Sequence, residues 1–449
     1  MVAVASLAIL YENGFLTDST EPEPEGPDEP TEPEEPEPES TGILWQRGIK
    51  NFASGLVAVG GKVFTIDYGG EISCYEAQTG ESVWNGSIGG SNCAGIVVSG
   101  SRVYGGKGGN EVGVVDATTG EFQWSVTGQF SSPNWALPSN ISVVDDRLFV
   151  TAYDFAAYNA TTGQPLWDYE TIKFKQDANV THPRWLIGWA FEGSRVFANG
   201  EISFVIDYVC RLDPDNGTIL WSVPRKTLVS GPPVVYQGQV IMRDNSEGPT
   251  TVFSLDETSG DILWSYNVEA LVYPPTAYNG LLLFGASDDS FYALHLANGT
   301  LAWKSSVDSQ NITALVNHDN PLEGLSIQID LQNQRMLGGF AVTTQTRIDD
   351  LHVEDHHWGI LCSLDIETGE VKWTKHFSGD GDISNEYVVF DVALTENNIY
   401  LTAINEFWIF SKRTGNLIES QYFEHGITSP VAEDGKVFVA ADLWLIGYE

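Results

Sequence analysis

Positive charge is what this chain has least of. Lys and Arg together number 22 against 61 Asp and Glu, a formal net charge of -39. A surface of that sign repels nucleic acid and anionic membrane and attracts cations or a basic partner. It also favours solubility, including in a salty medium. Cysteine is nearly as scarce. Cys74, Cys93, Cys210 and Cys362 are far apart, with no C-x-x-C and no C-x-x-C-H spacing. Thioredoxin-type, zinc-ribbon and c-type haem sites are thereby excluded. Cys210 and Cys362 each stand seven residues before a turn glycine, a shared register that suits thiols buried in strands. The spacing leaves a Cys74–Cys93 disulfide open. Long helical periodicity is also missing, so almost no helix is expected.

The beginning of the chain lacks both a membrane span and a core. Met1 to Leu10 is apolar but too short to cross a bilayer. It has no basic flank and no small-residue cleavage site. Residues 1–16 are expected to be the remnant of a signal or membrane-anchor segment whose upstream part is absent. Residues 17–40 alternate Glu and Pro, as in Glu21-Pro22-Glu23-Pro24. Like charges repel and proline favours extended polyproline II, so this segment reads as a disordered, semi-rigid stalk. Residues 12–39 carry twelve acids and no base, which leaves 49 acids against 22 bases elsewhere.

What the rest of the chain has is a repeat. A Gly-x-x-x-Trp frame recurs at Gly80–Trp84, Gly120–Trp124, Gly163–Trp167, Gly217–Trp221, Gly260–Trp264, Gly299–Trp303 and Gly369–Trp373. A degenerate copy at Gly415 has Glu419 where the Trp belongs. An acidic residue often stands four before the glycine, as at Asp116, Asp213, Asp256 and Asp365. The glycine suits a tight turn that needs positive φ. A period of roughly 40 residues with about four short strands per unit is the mark of a β-propeller. Nine units can be counted over 41–449. The last, from Pro430, has only three strands, and the lone strand around Trp45 is expected to complete it and close the ring. Trp45 should then pair near Leu443 to Gly447. Two spacings are long, Gly163 to Gly217 and Gly299 to Gly369, and their extra length is expected in loops.

The segment Leu364-Asp365-Ile366-Glu367-Thr368-Gly369-Glu370-Val371-Lys372-Trp373 resembles the tryptophan-docking repeat of the pyrroloquinoline-quinone (PQQ) propeller family. The resemblance covers roughly 42–449. It implies an all-β propeller, with eight blades as the family norm against the nine counted here. It also implies a docking role between blades for Trp84, Trp124, Trp167, Trp221, Trp264, Trp303 and Trp373, and for Trp45 by position. The family holds quinone-dependent dehydrogenases and also non-enzymatic scaffolds, including the lipoprotein of the bacterial barrel-assembly machinery. The dehydrogenases typically carry a vicinal Cys-Cys pair, which this chain lacks. The chain therefore resembles the scaffold members more, and PQQ is not expected. The leading reading is a non-enzymatic, surface-exposed binding or scaffold module with a protein or glycan partner. Its location is expected to be extracellular or cell-envelope exposed, anchored to a membrane only through the N-terminus. The alternative is a metal- or quinone-dependent oxidoreductase.

Several residues outside the frame could carry chemistry. Asp380, Asp382, Ser384 and Glu386 place oxygen donors at alternate positions, a spacing able to wrap calcium, although plain turns share that composition. His352, Glu354, Asp355, His356 and His357 form an acidic, imidazole-bearing loop suited to a transition metal or simply to water. Trp135, Trp185, Trp189 and Trp358 could stack on a sugar or peptide, or plug a gap. Blade geometry sends the links between second and third strands, and the links between blades, to one end. The long segments around Trp135, Trp185, Asn311, His352 and Asp380 should share that end as a binding face. Asn-x-Ser/Thr sequons occur at Asn85, Asn140, Asn159, Asn179, Asn216, Asn298 and Asn311, which favours an outward-facing, glycosylated protein.

Overall fold

A computed structural model describes residues 42–449 except 109–110, 128–139, 152–154, 168–184, 193–194, 204–205, 226–232, 245–248, 308–322, 325–326, 348–352, 382–390, 404 and 425. Residues 1–41 lie outside the described residues. The described residues hold strands and no helix. They form nine antiparallel sheets of propeller type, eight with four strands and one with five. We number the sheets in chain order: sheet 1 spans 53–87, sheet 2 94–127, sheet 3 140–167, sheet 4 185–225, sheet 5 234–268, sheet 6 276–306, sheet 7 323–381, sheet 8 391–422 and sheet 9 431–448. Sheet 9 takes its fourth strand from Ile43–Gly48, which pairs with Trp444–Tyr448 and sets Trp45 opposite Gly447.

Burial follows position within each sheet. First strands abut at most junctions, as Ala53–Val59 does Ala94–Ser99, and second and third strands of neighbouring sheets share one core, as Leu283 and Phe291 do with Phe340 and Ile360. Leu281–Ala286 and Asn398–Ala403 are accordingly buried at every residue. A strand covered on both faces reads as a continuous apolar run. The outer strand Ile262–Val268 instead alternates, with Trp264 and Val268 buried and Ile262 and Leu263 exposed.

The turn glycine explains how one sheet grips the next. Each adopts positive φ, between 66° and 76° from Gly80 to Gly415. A Cβ on any of them would fall 2.4–2.8 Å from an indole of the preceding sheet: Trp45 on Gly80, then Trp84, Trp124, Trp167, Trp221, Trp264, Trp303 and finally Trp373 on Gly415. Glycine is therefore needed both for its backbone and for the ring it admits. Seven of these indoles also donate Nε1 at 2.7–3.0 Å to a carbonyl of the same turn, from Trp45 to Ala77 through Trp303 to Ile366. Trp373 is the exception, for its buried Nε1 has no acceptor among the described residues.

At the ends of sheet 9 the turn is replaced by two separate pieces of chain. Glu449 N nonetheless donates to Gly42 O at 2.8 Å, as Glu76 N donates to Glu81 O at 2.8 Å in the unbroken turn of sheet 1. Thr41 stands in the sequence where the ring-receiving glycine would be, and the residue that would supply the ring is Glu419. The degenerate eighth copy thus sits where docking has no partner.

The long spacings are filled differently from expectation. The strands Arg335–Arg347 and Val353–Asp365 run 13 residues each and Val371–Gly381 runs 11. Other sheets use strands of about six. The 70-residue spacing therefore contributes the first two strands of a three-stranded flap, while its residues 308–322, 325–326 and 348–352 lie outside the described residues. At ~3.3 Å per residue the flap extends about 20 Å beyond an ordinary strand. His356, Trp358 and Asp380 belong to strands and not to loops. Trp185 and Trp189 likewise lie in the strand Trp185–Glu192.

Candidate functional site at the link end of the sheets

Backbone hydrogen bonds sort the connections into two ends. At one, the turns between first and second strands bond those between third and fourth, as in Ala77 N to Gly61 O and Leu296 N to Gly280 O. At the other, second-to-third links bond the links between sheets, as in Cys93 N to Tyr68 O, Ile49 N to Leu443 O and Asp442 N to Gly426 O. The second is the link end, where sheets 8, 9, 1 and 2 leave a cleft.

Two adjoining cavities make up this cleft, of about 380 Å³ and 270 Å³. Both are lined by Ala53, Tyr68 and Ile427. The larger one reaches Gly55, Gly95 and Ser429, and the smaller one Phe52, Asn405 and Asp442. Tyr68 is 60% exposed and Phe52 37%. Large aromatic surfaces in water at the mouth of a cavity are the feature that marks a binding site.

The walls are held by bonds made within the protein. Asp67, beneath Tyr68, accepts from Gly69 N and Glu71 N at 2.9 and 2.8 Å and from the Asn51 side chain at 2.5 Å. That network fixes the short link carrying Tyr68. Ser54 Oγ donates to Ile66 O at 3.1 Å. Thr428 donates its N–H to Ala440 O at 2.8 Å and accepts Ala440 N on its hydroxyl at 3.0 Å. The Ser429 hydroxyl bonds the Asp391 carboxylate. The cleft therefore has a preorganised polar frame, an aromatic lip and carboxylates nearby.

Electrostatics elsewhere serve the scaffold. Asp116, Asp256 and Asp365 accept backbone N–H bonds from the turn residues that follow them. Those bonds hold each carboxyl below its ordinary range, chiefly through Thr118, Ser259 and Thr368 respectively. Asn159 caps its turn the same way, accepting from Thr161 N and Thr162 N. Arg243 is buried with Nη1 on Val272 O at 2.8 Å, and desolvation lowers it to about 10. Lys412 and Asp330 form a buried ion pair at 3.2 Å that ties sheet 8 to sheet 7.

The sequence candidates fall in several places. His356 lies opposite Asp380 in the flap, and His357 opposite Gly379. Asp382, Ser384, Glu386, His352 and Trp135 are outside the described residues. Among the described residues no group of three or more His, Cys, Asp or Glu is arranged to hold a metal. Asn85, Asn216 and Asn298 are exposed. Asn159 is half-buried and donates Nδ2 to Asp146 at 2.6 Å. Asn140 begins the strand Asn140–Val144, and Asn179 and Asn311 are not among the described residues. All four cysteines are buried thiols, so the Cys74–Cys93 disulfide is not formed. No two are adjacent in the chain, and a vicinal disulfide is not available. Phe52, Tyr68 and Asp442 were not singled out from the sequence. Their signal is weak: each is one residue in a short link, and Asp442 comes from the opposite end of the chain to Phe52 and Tyr68.

A family profile described as outer membrane protein assembly factor BamB matches residues 37–198 and 207–446. An outer membrane protein assembly factor BamB from Yersinia pestis is 21% identical over 297 residues, which is 63% of this chain and 66% of that protein. The chain thus matches slightly less than two thirds of that relative's length. Among solved structures, the computationally designed Ika8 protein is similar with a TM-score of 0.52 at 15% identity, over 79% of this chain and 95% of that one. Quinohemoprotein alcohol dehydrogenase from Comamonas testosteroni is similar with a TM-score of 0.50 at 11% identity, over 90% and 76% respectively. At those identities the likeness is one of fold.

Proposed function

Since the chain belongs to the family described as outer membrane protein assembly factor BamB, we propose that it is a non-enzymatic scaffold of the cell envelope that presents the link end of its sheets to a protein partner. The observation that carries this reading is the cleft at that end, with Phe52 and Tyr68 exposed at its mouth. The Yersinia pestis relative's name places that protein in outer membrane protein assembly, and the corresponding partner here is another component of such machinery. We further propose that the nine sheets form one closed ring, supported by the contact of the first strand of sheet 9 with that of sheet 1. Calcium held by Asp380, Asp382, Ser384 and Glu386 belongs to the same proposal, as an ordering ion for the link after the flap. So do glycans on exposed sequons such as Asn298. An oxidoreductase reading has less support, because the buried and separated cysteines do not fit the thiol pair of the quinone enzymes.

The test is site-specific cross-linking in the native envelope. A photoreactive side chain replacing Tyr68 is expected to capture a discrete protein, and one replacing Thr118 at the opposite end is not. Capture from Thr118 alone, or equally from both, would reject the link end as the partner face.

A further inference from the structure

We propose that the cleft between sheets 9 and 1 receives an arginine or lysine side chain from an extended segment of the partner. This rests on the reading of the link end as the partner face and adds what that face recognises. The first ground is the lip. Tyr68 is 60% exposed, and its hydroxyl makes no hydrogen bond among the described residues. Its position is set by the Asp67 network and by Tyr68 O accepting Cys93 N at 3.1 Å. The structure thus holds a ring in water without using its polar end. A cation over such a face is attracted by the ring quadrupole, and guanidinium also stacks flat on it.

The second ground is charge. Asp442 lines the smaller cavity. Asp391 sits behind Ser429 at the larger one, and Lys50 is the one base on the link that leads to Phe52. Outside the acidic N-terminal segment the chain has 49 acids against 22 bases. An anionic ligand would meet net repulsion despite Lys50, whereas a cationic one gains from the whole field as well as from the local carboxylate. The third ground is size. Cavities of about 380 and 270 Å³ stand at or below the low end of the ~300–1,000 Å³ usual for small-molecule pockets. They admit single side chains, with the rest of the segment lying across the lip. A neutral sugar could stack on the same rings but would draw nothing from the charge.

The probe is a short fluorescein-labelled peptide alternating arginine and serine, with a twin in which citrulline replaces arginine. Anisotropy is measured at low ionic strength on the full chain. The arginine peptide is expected to bind and the citrulline twin not. Binding should weaken by about tenfold in Tyr68→Ala, toward the upper range for a desolvated cation over a ring, and by a similar factor in Asp442→Asn. Asn tolerates the positive φ of 49° at that position. Tyr68→Phe keeps the ring and should bind as the parent does, which separates loss of the ring from loss of the fold. Glu121→Gln, exposed at the opposite end, should also leave binding intact. Equal affinity for the citrulline twin overturns the proposal. So does equal weakening by Glu121→Gln and Asp442→Asn, which would mean diffuse attraction, and so does preferential binding of a chito-oligosaccharide at Tyr68. Cross-links from Tyr68 without arginine binding would refute the cleft's chemistry and leave the partner face standing. Arginine binding without cross-links would do the reverse.

Discussion

Glycine at the docking turns has two separable duties, and the molecule contains a matched control for them. Gly299 has φ +68°, and a Cβ there would meet the Trp264 ring at 2.5 Å. Gly280 has φ +79° and nothing within 4 Å. Gly280→Ala should cost only the left-handed strain, about 1–2 kcal/mol. Gly299→Ala should cost about 3–5 kcal/mol, since it also expels an indole from its seat. Urea unfolding of the two variants measures the difference; equal losses would mean that the ring relocates freely. The capping carboxylates give a second residue-level expectation. Asp116, Asp256 and Asp365 are held below the ordinary range by backbone N–H bonds. A depressed carboxyl stabilises the fold fully above its unfolded value near ~3.9, and that contribution is lost as pH falls through the folded value. Replacing all three by Asn, the residue already serving at Asn159, should flatten the acid limb of stability below about pH 4. An unchanged acid limb would assign acid unfolding to other groups.

Among the elements, the two junctions of sheet 8 depart from the rule the others keep. On one side Trp373 reaches Gly415 without an acceptor for its Nε1. On the other, Glu419 stands where an indole would be. The first junction instead has the buried Lys412–Asp330 pair, with Lys412 Nζ also on Thr395 O at 3.2 Å and Asn333 on Asp330 at 2.7 Å. Lys412→Ala should destabilise by about 3–5 kcal/mol, because it strands a buried carboxylate. The double variant Lys412→Met with Asp330→Leu should recover most of that loss. Thermal or denaturant melts decide it, and additive losses would show that the two side chains act independently. The flap of sheet 7 shows why some elements were illegible. Thr343-Thr344-Gln345-Thr346 and Glu354-Asp355-His356-His357 carry no apolar alternation. Without that period of two the stretch reads as loop. Leu281-Leu282-Leu283-Phe284, sandwiched on both faces, was legible for the opposite reason. The docking frame was legible because one local geometry recurs. The cleft was not, since Asp442 of sheet 9 meets Phe52 and Tyr68 at sheet 1 only through the arrangement of separate sheets.

For the whole molecule the governing quantity is its charge. With 61 acids and 22 bases, compaction brings like charges together, and the folded state is penalised in dilute buffer. Added salt screens that repulsion over a Debye length of about 10 Å at 0.1 M and about 3 Å at 1 M. The melting temperature should therefore climb from dilute buffer to molar potassium chloride. A flat or falling curve would show that the acids are spaced too widely to repel. The same salt should weaken the arginine peptide, so stability and binding are expected to move in opposite directions.

The pairing of Ile43–Gly48 with Trp444–Tyr448 has a consequence for how the protein is born. On the ribosome the strand at Ile43 emerges before the nine sheets, yet its partner is made after the first eight of them are complete. Sheets 1 to 8 are each complete once their own stretch of chain has been translated. Sheet 9 cannot form until nearly four hundred residues separate its two parts, the most non-local strand pairing among the described residues and the slowest kind to find. Through that interval Ile43, Leu44 and Trp45 wait without their neighbour, an apolar strand with an open edge. Of the described strands, the first synthesised is the last one seated.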